Sequence, residues 1–444
     1  MPAVVAVAAL APACAHVALL DAHAVPASSA AAFAGAAEPS AVDARSTEPS
    51  IVAAAATAAF AAVAIVETLA LAGTAAATFA AATTASAAAP ALAAGPAAAV
   101  DLTAAPLGAC ALPAHLAASL DELGYCVVEH AAGSAWCAAL RDEIEELHAR
   151  GALEPSCNLL ATSRVAPATA GGTAVGSQAR CEKRGIAELT VLLNGELTGA
   201  IRCASDGARR GSPTLERCAT ACAPALARAL NAAAPWLRLS GVDTVKAQYN
   251  HGIGGCFPMH FDTTARTQRH VTAVLYLNDA RGWREADGGS LRVFPFPFAP
   301  VAIPPCAGTL VLFSSACTLH RVDRAFAPRC ALSIWFRAES DARRFPAAFP
   351  AWVAPAEADA LRFLRGASHL SRLTKVLFAR EYAESIEEAF GAETTGVRDA
   401  IGLHFAEVAR LEVELGEPLL EVLRASLPLV PPLPPSGGDE VGGD

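Results

Sequence analysis

The chain has 444 residues, 43 acidic against 33 basic side chains, and a formal net charge of -10; its pI is near 5.6. That balance excludes a broad nucleic-acid footprint, which needs a basic face. Three lysines (Lys183, Lys246, Lys375) stand against thirty arginines, and with the alanine excess this pattern reads as the codon bias of a GC-rich genome. The thirteen cysteines are odd in number, spread singly and without any CxxC. They argue against a zinc finger and for buried free thiols in a reducing compartment.

Residues 1–111 form an Ala-rich, low-complexity leader. Its opening, "MPAVVAVAALAPACAHVALL", is apolar but has no basic n-region, and Arg45 is the only Lys or Arg before Arg141. The apolar run from Ile51 is interrupted by Glu67, short of the ~20 apolar residues of a spanning helix. A disordered or loosely helical leader is therefore expected in preference to a membrane anchor or a cleaved targeting peptide. The expected compartment is cytoplasmic or nuclear, with endomembrane or organellar targeting left open.

From residue 112 the composition becomes that of a packed domain. A leading helix, a strand at "GYCVVEH" and a helix in "SAWCAALRDEIEELHARG" follow, with Ser134 as N-cap and Gly151 as stop. Residues 155–185, rich in Gly, Ala, Thr and Ser without a period, are expected to be a long mobile loop. Another helix is expected over 213–233, ending near Pro235.

Between 241 and 338 the pattern changes to short runs rich in Val, Leu, Phe and Tyr: "DTVKAQY", "HVTAVLYLN", "GGSLRVFP", "GTLVLFSS" and "CALSIWFR". Separated by turn residues and without intervening helices, they predict an antiparallel sandwich or barrel. Beyond 340 helix returns, with Val397, Ile401, Phe405, Val408, Leu411 and Leu415 expected on one buried face. The Pro- and Gly-rich acidic end reads as disordered. The expected organisation is a leader (1–111), a main domain (112–339), a helical extension (340–427) and a tail (428–444).

The chemistry centres on "FPMHFDTT". His260 and Asp262 are two apart, so on a strand both point to one face, and "TLHRV" brings His320 after another strand-like run. Two histidines and a carboxylate on one side of an ion make the facial triad of non-haem Fe(II) oxygenases. Taken singly, His260 is equally a solvated turn residue, His320 a satisfied core histidine and Asp262 a cap. Arg329, nine residues after His320 and opening an apolar strand, needs an anionic partner. A dicarboxylate held end-on by its planar fork would supply one.

These residues sit in a longer resemblance. The stretch from about Ala247 to Arg337 resembles the catalytic core of the Fe(II)- and 2-oxoglutarate-dependent prolyl 4-hydroxylases, above all the hypoxia-inducible-factor prolyl hydroxylase branch. It is carried by "QYNHGIGGCFPMHFD", "RHVTAVLYLN", "DGGSLRVFP", "TLVLFSSACTLHRV" and "RCALSIWF". The likeness extends more weakly upstream through "LGYCVVEH" and "RDEIEELHARG".

The resemblance implies an α+β fold: a double-stranded β-helix (jelly-roll, cupin-like) core with flanking helices, carrying the helical C-terminal extension and the low-complexity leader. It implies that His260, Asp262 and His320 bind Fe(II). Arg329 and the Tyr276 hydroxyl would hold the distal carboxylate of 2-oxoglutarate, and Tyr249 would lie near metal and co-substrate. It implies ascorbate as a further cofactor, O2 as reactant, and a proline-containing protein or peptide substrate, hydroxylated with release of succinate and CO2. Phe257 stands where relatives often carry tyrosine, and nothing resembles the zinc-finger module of some animal members. Alternatives are an oxygenase acting on another residue or a small molecule, and a non-catalytic jelly-roll binding protein.

Overall fold

The computed structural model describes residues 112–165, 176–199, 212–263, 269–279 and 282–429. The leader to residue 111, residues 166–175 and the tail from 430 lie outside the described residues. Among the described residues no helix is long and apolar enough to cross a membrane.

Helix α1 (Leu116–Leu123) stops at Gly124, whose φ of 80° lets its N–H return to the Leu120 carbonyl. Strand β1 (Tyr125–Val128) leads into α2 (Ser134–Ala149). Ser134 is the first helical residue rather than the cap; Gly133 takes the cap position with no side-chain bond, and Gly151 follows the helix at φ 70°.

The expected loop at 155–185 is instead largely strand. β2 (Glu154–Val165) and β3 (Gly176–Leu193) pair antiparallel, with Glu154 opposite Glu188 and Thr162 opposite Ser177. Residues 154–162 and 177–188 carry little alternation of their own, and β3 is held by a second neighbour, β5 (Leu239–Asn250). Pairing from outside the segment overrides its composition. After the two-residue β4 (Glu196–Leu197), the helix expected over 213–233 runs as α3 (Pro213–Arg217), a π turn at Cys218–Cys222 and α4 (Ala223–Ala233).

The remaining strands are β6 (Gly255–His260), β7 (Arg269–Tyr276), β8 (Leu291–Phe294), β9 (Val301–Ile303), β10 (Leu310–Ser314), β11 (Leu319–Ala325) and β12 (Arg329–Ala338). An eight-stranded sheet in the order β1-β10-β7-β12-β5-β3-β2, with β4 on β3, faces a four-stranded sheet in the order β6-β11-β8-β9. This is the double-stranded β-helix with flanking helices. Its interior is an apolar cluster from both sheets, including Val274 and Phe313 from the larger and Leu291 and Val322 from the smaller. The outer face of the larger sheet is covered by α1, α2 and α4 through Leu120, Leu140, Ile144, Leu226 and Leu230.

Helices α5 (Pro355–Leu364), α6 (Ala367–Leu377), α7 (Ala379–Phe390), α8 (Val397–Leu415) and α9 (Glu417–Ser426) make up the C-terminal part. They pack on the barrel. Ala389, Phe390 and Val397 join Cys181 and Cys256 in one cluster, and Tyr382 joins Met259, Phe294 and Leu319 in another. Ser385 Oγ accepts the Met259 N–H at 3.0 Å, and Glu388 pairs with Arg321. Within α8 the sequence reading needs one correction, because Phe405 is 46% exposed. A 3.6-residue stripe through Val397, Val408 and Leu415 passes over position 404, so His404 turns inward and bonds the Ala379 carbonyl at 2.8 Å.

Candidate metal and co-substrate site

β6 and β11 run antiparallel with His260 directly opposite His320, which brings the rings to 4.3 Å between centroids. Asp262 lies two residues past His260, beyond the end of β6, so the bend after the strand rather than the pleat aims its carboxylate. The result matches what the spacing predicts, by a different local route. One ligand atom from each of the three residues lies within 4.8 Å of the others. Asp262 Oδ1 is 3.4 Å from His260 Nε2, and Oδ2 is 3.8 Å from His320 Nε2.

Hydrogen bonds fix the orientation of all three. His260 Nδ1 is 2.7 Å from the Pro258 carbonyl and His320 Nδ1 is 3.0 Å from the Thr318 carbonyl. Each Nδ1–H donates to the chain, which leaves each Nε2 lone pair free toward the shared centre. Thr272 Oγ1 donates to Asp262 Oδ2 at 2.7 Å, with Ser315 Oγ 2.8 Å behind it. Burial alone would raise the Asp262 carboxyl, but the His320 and His260 imidazoles and the Thr272 hydroxyl outweigh it and hold it well below the usual range. Burial, reinforced by His260, pushes His320 down to about 4. At neutral pH the cluster thus offers an anionic carboxylate and a neutral His320 imidazole, the protonation states a divalent ion requires.

The triad opens on a cavity of about 260 Å³ between the two sheets. Arg329 and Tyr276 line it and are buried at 2% and 0% exposure. The guanidinium carbon is 5.1 Å from the tyrosine ring centroid. Arg329 Nε and the Tyr276 hydroxyl have no hydrogen-bond partner among the described residues. Burial raises the Tyr276 hydroxyl pKa, with Arg329 opposing. Two buried donors without a partner are what a bound carboxylate satisfies. Gly289 makes room for them: its φ is +70°, and a Cβ there would stand 3.0 Å from Arg329 Cδ. The donor set fits Fe(II) with 2-oxoglutarate.

Tyr249 is not part of this site. Alternation along β5 turns Lys246 and Gln248 into the cavity and Tyr249 outward, where it stacks on His148 of α2 at 4.4 Å and packs on the outer core. Sequence reasoning also missed one cavity wall, made by Lys183 and Glu188 of β3, Lys246 of β5 and Asn158 of β2. The available signal was compositional: two of the chain's three lysines face one cavity.

Residues 246–337, which hold every residue of the triad together with Arg329 and Tyr276, match the family model described as the 2OG-Fe(II) oxygenase superfamily. A hypoxia-inducible factor prolyl hydroxylase of Caenorhabditis elegans is 33% identical over 135 residues, 26% of this chain and 18% of that protein. The chain thus spans less than a fifth of that relative's length. A solved prolyl 4-hydroxylase from Phytophthora capsici superposes with a TM-score of 0.52 at 26% identity, over 72% of this chain and 92% of that one. That match is broader than residues 246–337 and takes in structure beyond the strands that carry the site.

Proposed function

We propose that this protein is an Fe(II)- and 2-oxoglutarate-dependent dioxygenase that hydroxylates prolyl residues in a protein or peptide. The observation that carries the reading is the convergence of two free Nε2 atoms and one ionised carboxylate at a pocket containing an unpaired buried arginine. The superfamily match and the two prolyl hydroxylase relatives support the choice of co-substrate and of proline. A peptide rather than a small molecule is favoured by a second cavity of about 530 Å³ along β2 and β3, which shares Cys157, Asn158 and Glu188 with the first. An extended chain leaving the site has a groove to lie in.

Bound iron and 2-oxoglutarate would together supply the oxidation of an unactivated C–H bond, with succinate and CO2 as by-products. The chain supplies the arrangement. His260, Asp262 and His320 would occupy one face of the ion and leave the other for reactants. Thr272 holds the carboxylate in place, and the Pro258 and Thr318 carbonyls hold the imidazoles. Arg329 and Tyr276 would fix the distal carboxylate, so that the keto-acid end reaches the metal in one orientation. Val274, Phe313, Leu291 and Val322 line the interior with apolar surface beside those polar groups. Ascorbate would serve to keep the iron reduced, and the free thiols of the ten described cysteines fit a reducing compartment, cytoplasmic or nuclear.

Succinate formation by anaerobically purified protein given Fe(II), ascorbate and air tests the reading. Proline-containing peptides should stimulate turnover, one oxygen should appear on proline by mass spectrometry, and His260→Ala should abolish both. Turnover that ignores His260 sinks the metal assignment, and oxygen gained only on another residue moves the substrate class.

A further inference from the structure

Of the four cationic side chains lining the cavity, two have an anionic partner and a third is assigned above to the co-substrate. Lys246 Nζ meets Glu188 Oε1 at 2.6 Å, Arg269 Nε meets Asp243 Oδ2 at 3.1 Å, and Arg329 awaits the co-substrate. Lys183 is different. It is 7% exposed, and its ammonium donates only to neutral acceptors, Asn158 Oδ1 at 2.6 Å and Ser156 Oγ at 3.0 Å. Glu188 faces the same wall, but its second oxygen already accepts the Ser156 hydroxyl at 3.0 Å. Two ammonium groups therefore share one carboxylate, and the third N–H of Lys183 has no acceptor given to it.

Phe257, three residues before His260 on β6, puts its ring centroid 5.0 Å from Lys183 Nζ. That contact ties the lysine to the strand carrying the first metal ligand, while the ring offers no hydroxyl to the ammonium. Burial pushes the Lys183 amine down to about 8, Glu188 opposing and Lys246 assisting, so near neutral pH it is still mostly charged. A buried cation is disfavoured unless an anion joins it. Lys183 lines the site cavity and bonds Asn158, one of the three residues that this cavity shares with the neighbouring groove.

We infer that Lys183 is a specificity-determining residue that receives a carboxylate of the substrate, so that the preferred peptide has an acidic residue beside its target proline. This rests on the peptide reading above and names what that reading leaves open. Asn158 and Ser156 hold the ammonium in place, and Glu188 keeps Lys246 from competing for the same carboxylate.

The test uses the full chain under argon with Fe(II) and 2-oxoglutarate, so that binding occurs without turnover. Fluorescence anisotropy compares alanine–proline peptides with Glu, Gln or Lys flanking a single proline. The wild type should bind the Glu peptide about ten-fold more tightly than the Gln peptide, the effect of one charge-assisted hydrogen bond in a sheltered site, and the Lys peptide most weakly. Lys183→Met should collapse the Glu-to-Gln ratio toward one, whereas Lys183→Arg should retain a preference. Equal binding of the three peptides by the wild type overturns the inference without recourse to any variant, as does a Glu preference that survives in Lys183→Met. Admitting O2 and reading mass separates the two proposals. Proline oxidation without charge selection removes this one alone, and charge-selective binding with no oxygen on proline removes the prolyl reading alone.

Discussion

The two sheets of the barrel divide the work unequally. The larger sheet provides Arg329, Tyr276 and Thr272 from long, doubly paired strands, backed by α1, α2 and α4. The smaller has four strands; β6 and β11 bring His260 and His320 together, and its outer face rests on helices from beyond residue 355. The proposed co-substrate pocket, set in a wide sheet, carries its own support. The proposed metal site, at the end of a six-residue strand, borrows it through the Met259–Ser385 bond and the Arg321–Glu388 pair.

Removing the borrowed support should have the largest effect. A chain ending at Glu339 uncovers Met259, Phe294 and Leu319. At about 1.5–3 kcal/mol for each side chain returned to water, the loss is a large share of the roughly 5–15 kcal/mol that hold a domain together. The expected outcome is aggregation, or soluble protein that no longer binds Fe(II) by calorimetry. A soluble truncation with full activity would show that the smaller sheet stands alone and would dissolve the contrast between the two halves.

The complementary change on the larger sheet should leave the fold and the metal intact. Arg329→Gln removes a buried charged fork and should raise the KM for 2-oxoglutarate by about 100-fold, the effect of losing one side of a buried charge pair. Fe(II) affinity measured in parallel should barely move. A matching loss of Fe(II) affinity would mean that the two halves are coupled more tightly than their separate supports suggest.

Much of this division is legible in the sequence, because the strands between 241 and 338 have their own turn punctuation and because His260, Asp262 and Arg329 sit near strand ends where spacing is informative. What was not legible depends on partners distant in the chain. β2 and β3 look like loop until β5 pairs with β3, and the wall of Lys183, Glu188 and Lys246 exists only once those strands lie side by side. Phe405 fails for a local reason: apolar character nominates it for the buried stripe of α8, while helical period gives the place to His404.

The Lys183 wall gives a smaller prediction, of opposite sign to most substitutions. An unfolded lysine keeps its proton to about 10.5, whereas folded Lys183 releases it at about 8. Between those values the unfolded chain binds more protons, so the stability contributed by this residue rises with pH, and below about 8 the buried charge costs the fold about 3 kcal/mol. Lys183→Met lifts that cost and gives up two hydrogen bonds worth about 1 kcal/mol each, leaving a net gain of about 1 kcal/mol. Melting curves should show the variant a few degrees more stable near neutral pH, with the advantage gone within about one pH unit above 8 and reversed toward pH 10.5, where only the lost hydrogen bonds count. A variant less stable at neutral pH would mean that the lysine pins β2 to β3 and would weaken the case for a substrate carboxylate.

The smallest expected effect falls on Tyr249, where family position and strand geometry disagree. Its resemblance to a tyrosine near the co-substrate predicts a loss on removing the hydroxyl, since a missing bond to a bound anion costs about 1.5–3 kcal/mol, or roughly ten- to a hundred-fold in KM. The alternation along β5 predicts almost nothing, because the ring stacks on His148 and the cavity side of the strand belongs to Lys246 and Gln248. Tyr249→Phe keeps the stacked ring and deletes only the hydroxyl, so steady-state KM for 2-oxoglutarate decides between them. A change within about two-fold supports the outward orientation, given that each tenfold step requires about 1.4 kcal/mol of lost contact. A tenfold rise would require β5 to shift by one residue when the co-substrate binds, turning Tyr249 into the cavity and Lys246 out of it. That shift would break the Lys246–Glu188 pair and release the carboxylate beside Lys183, so the same measurement also bears on whether the substrate-facing wall is preformed.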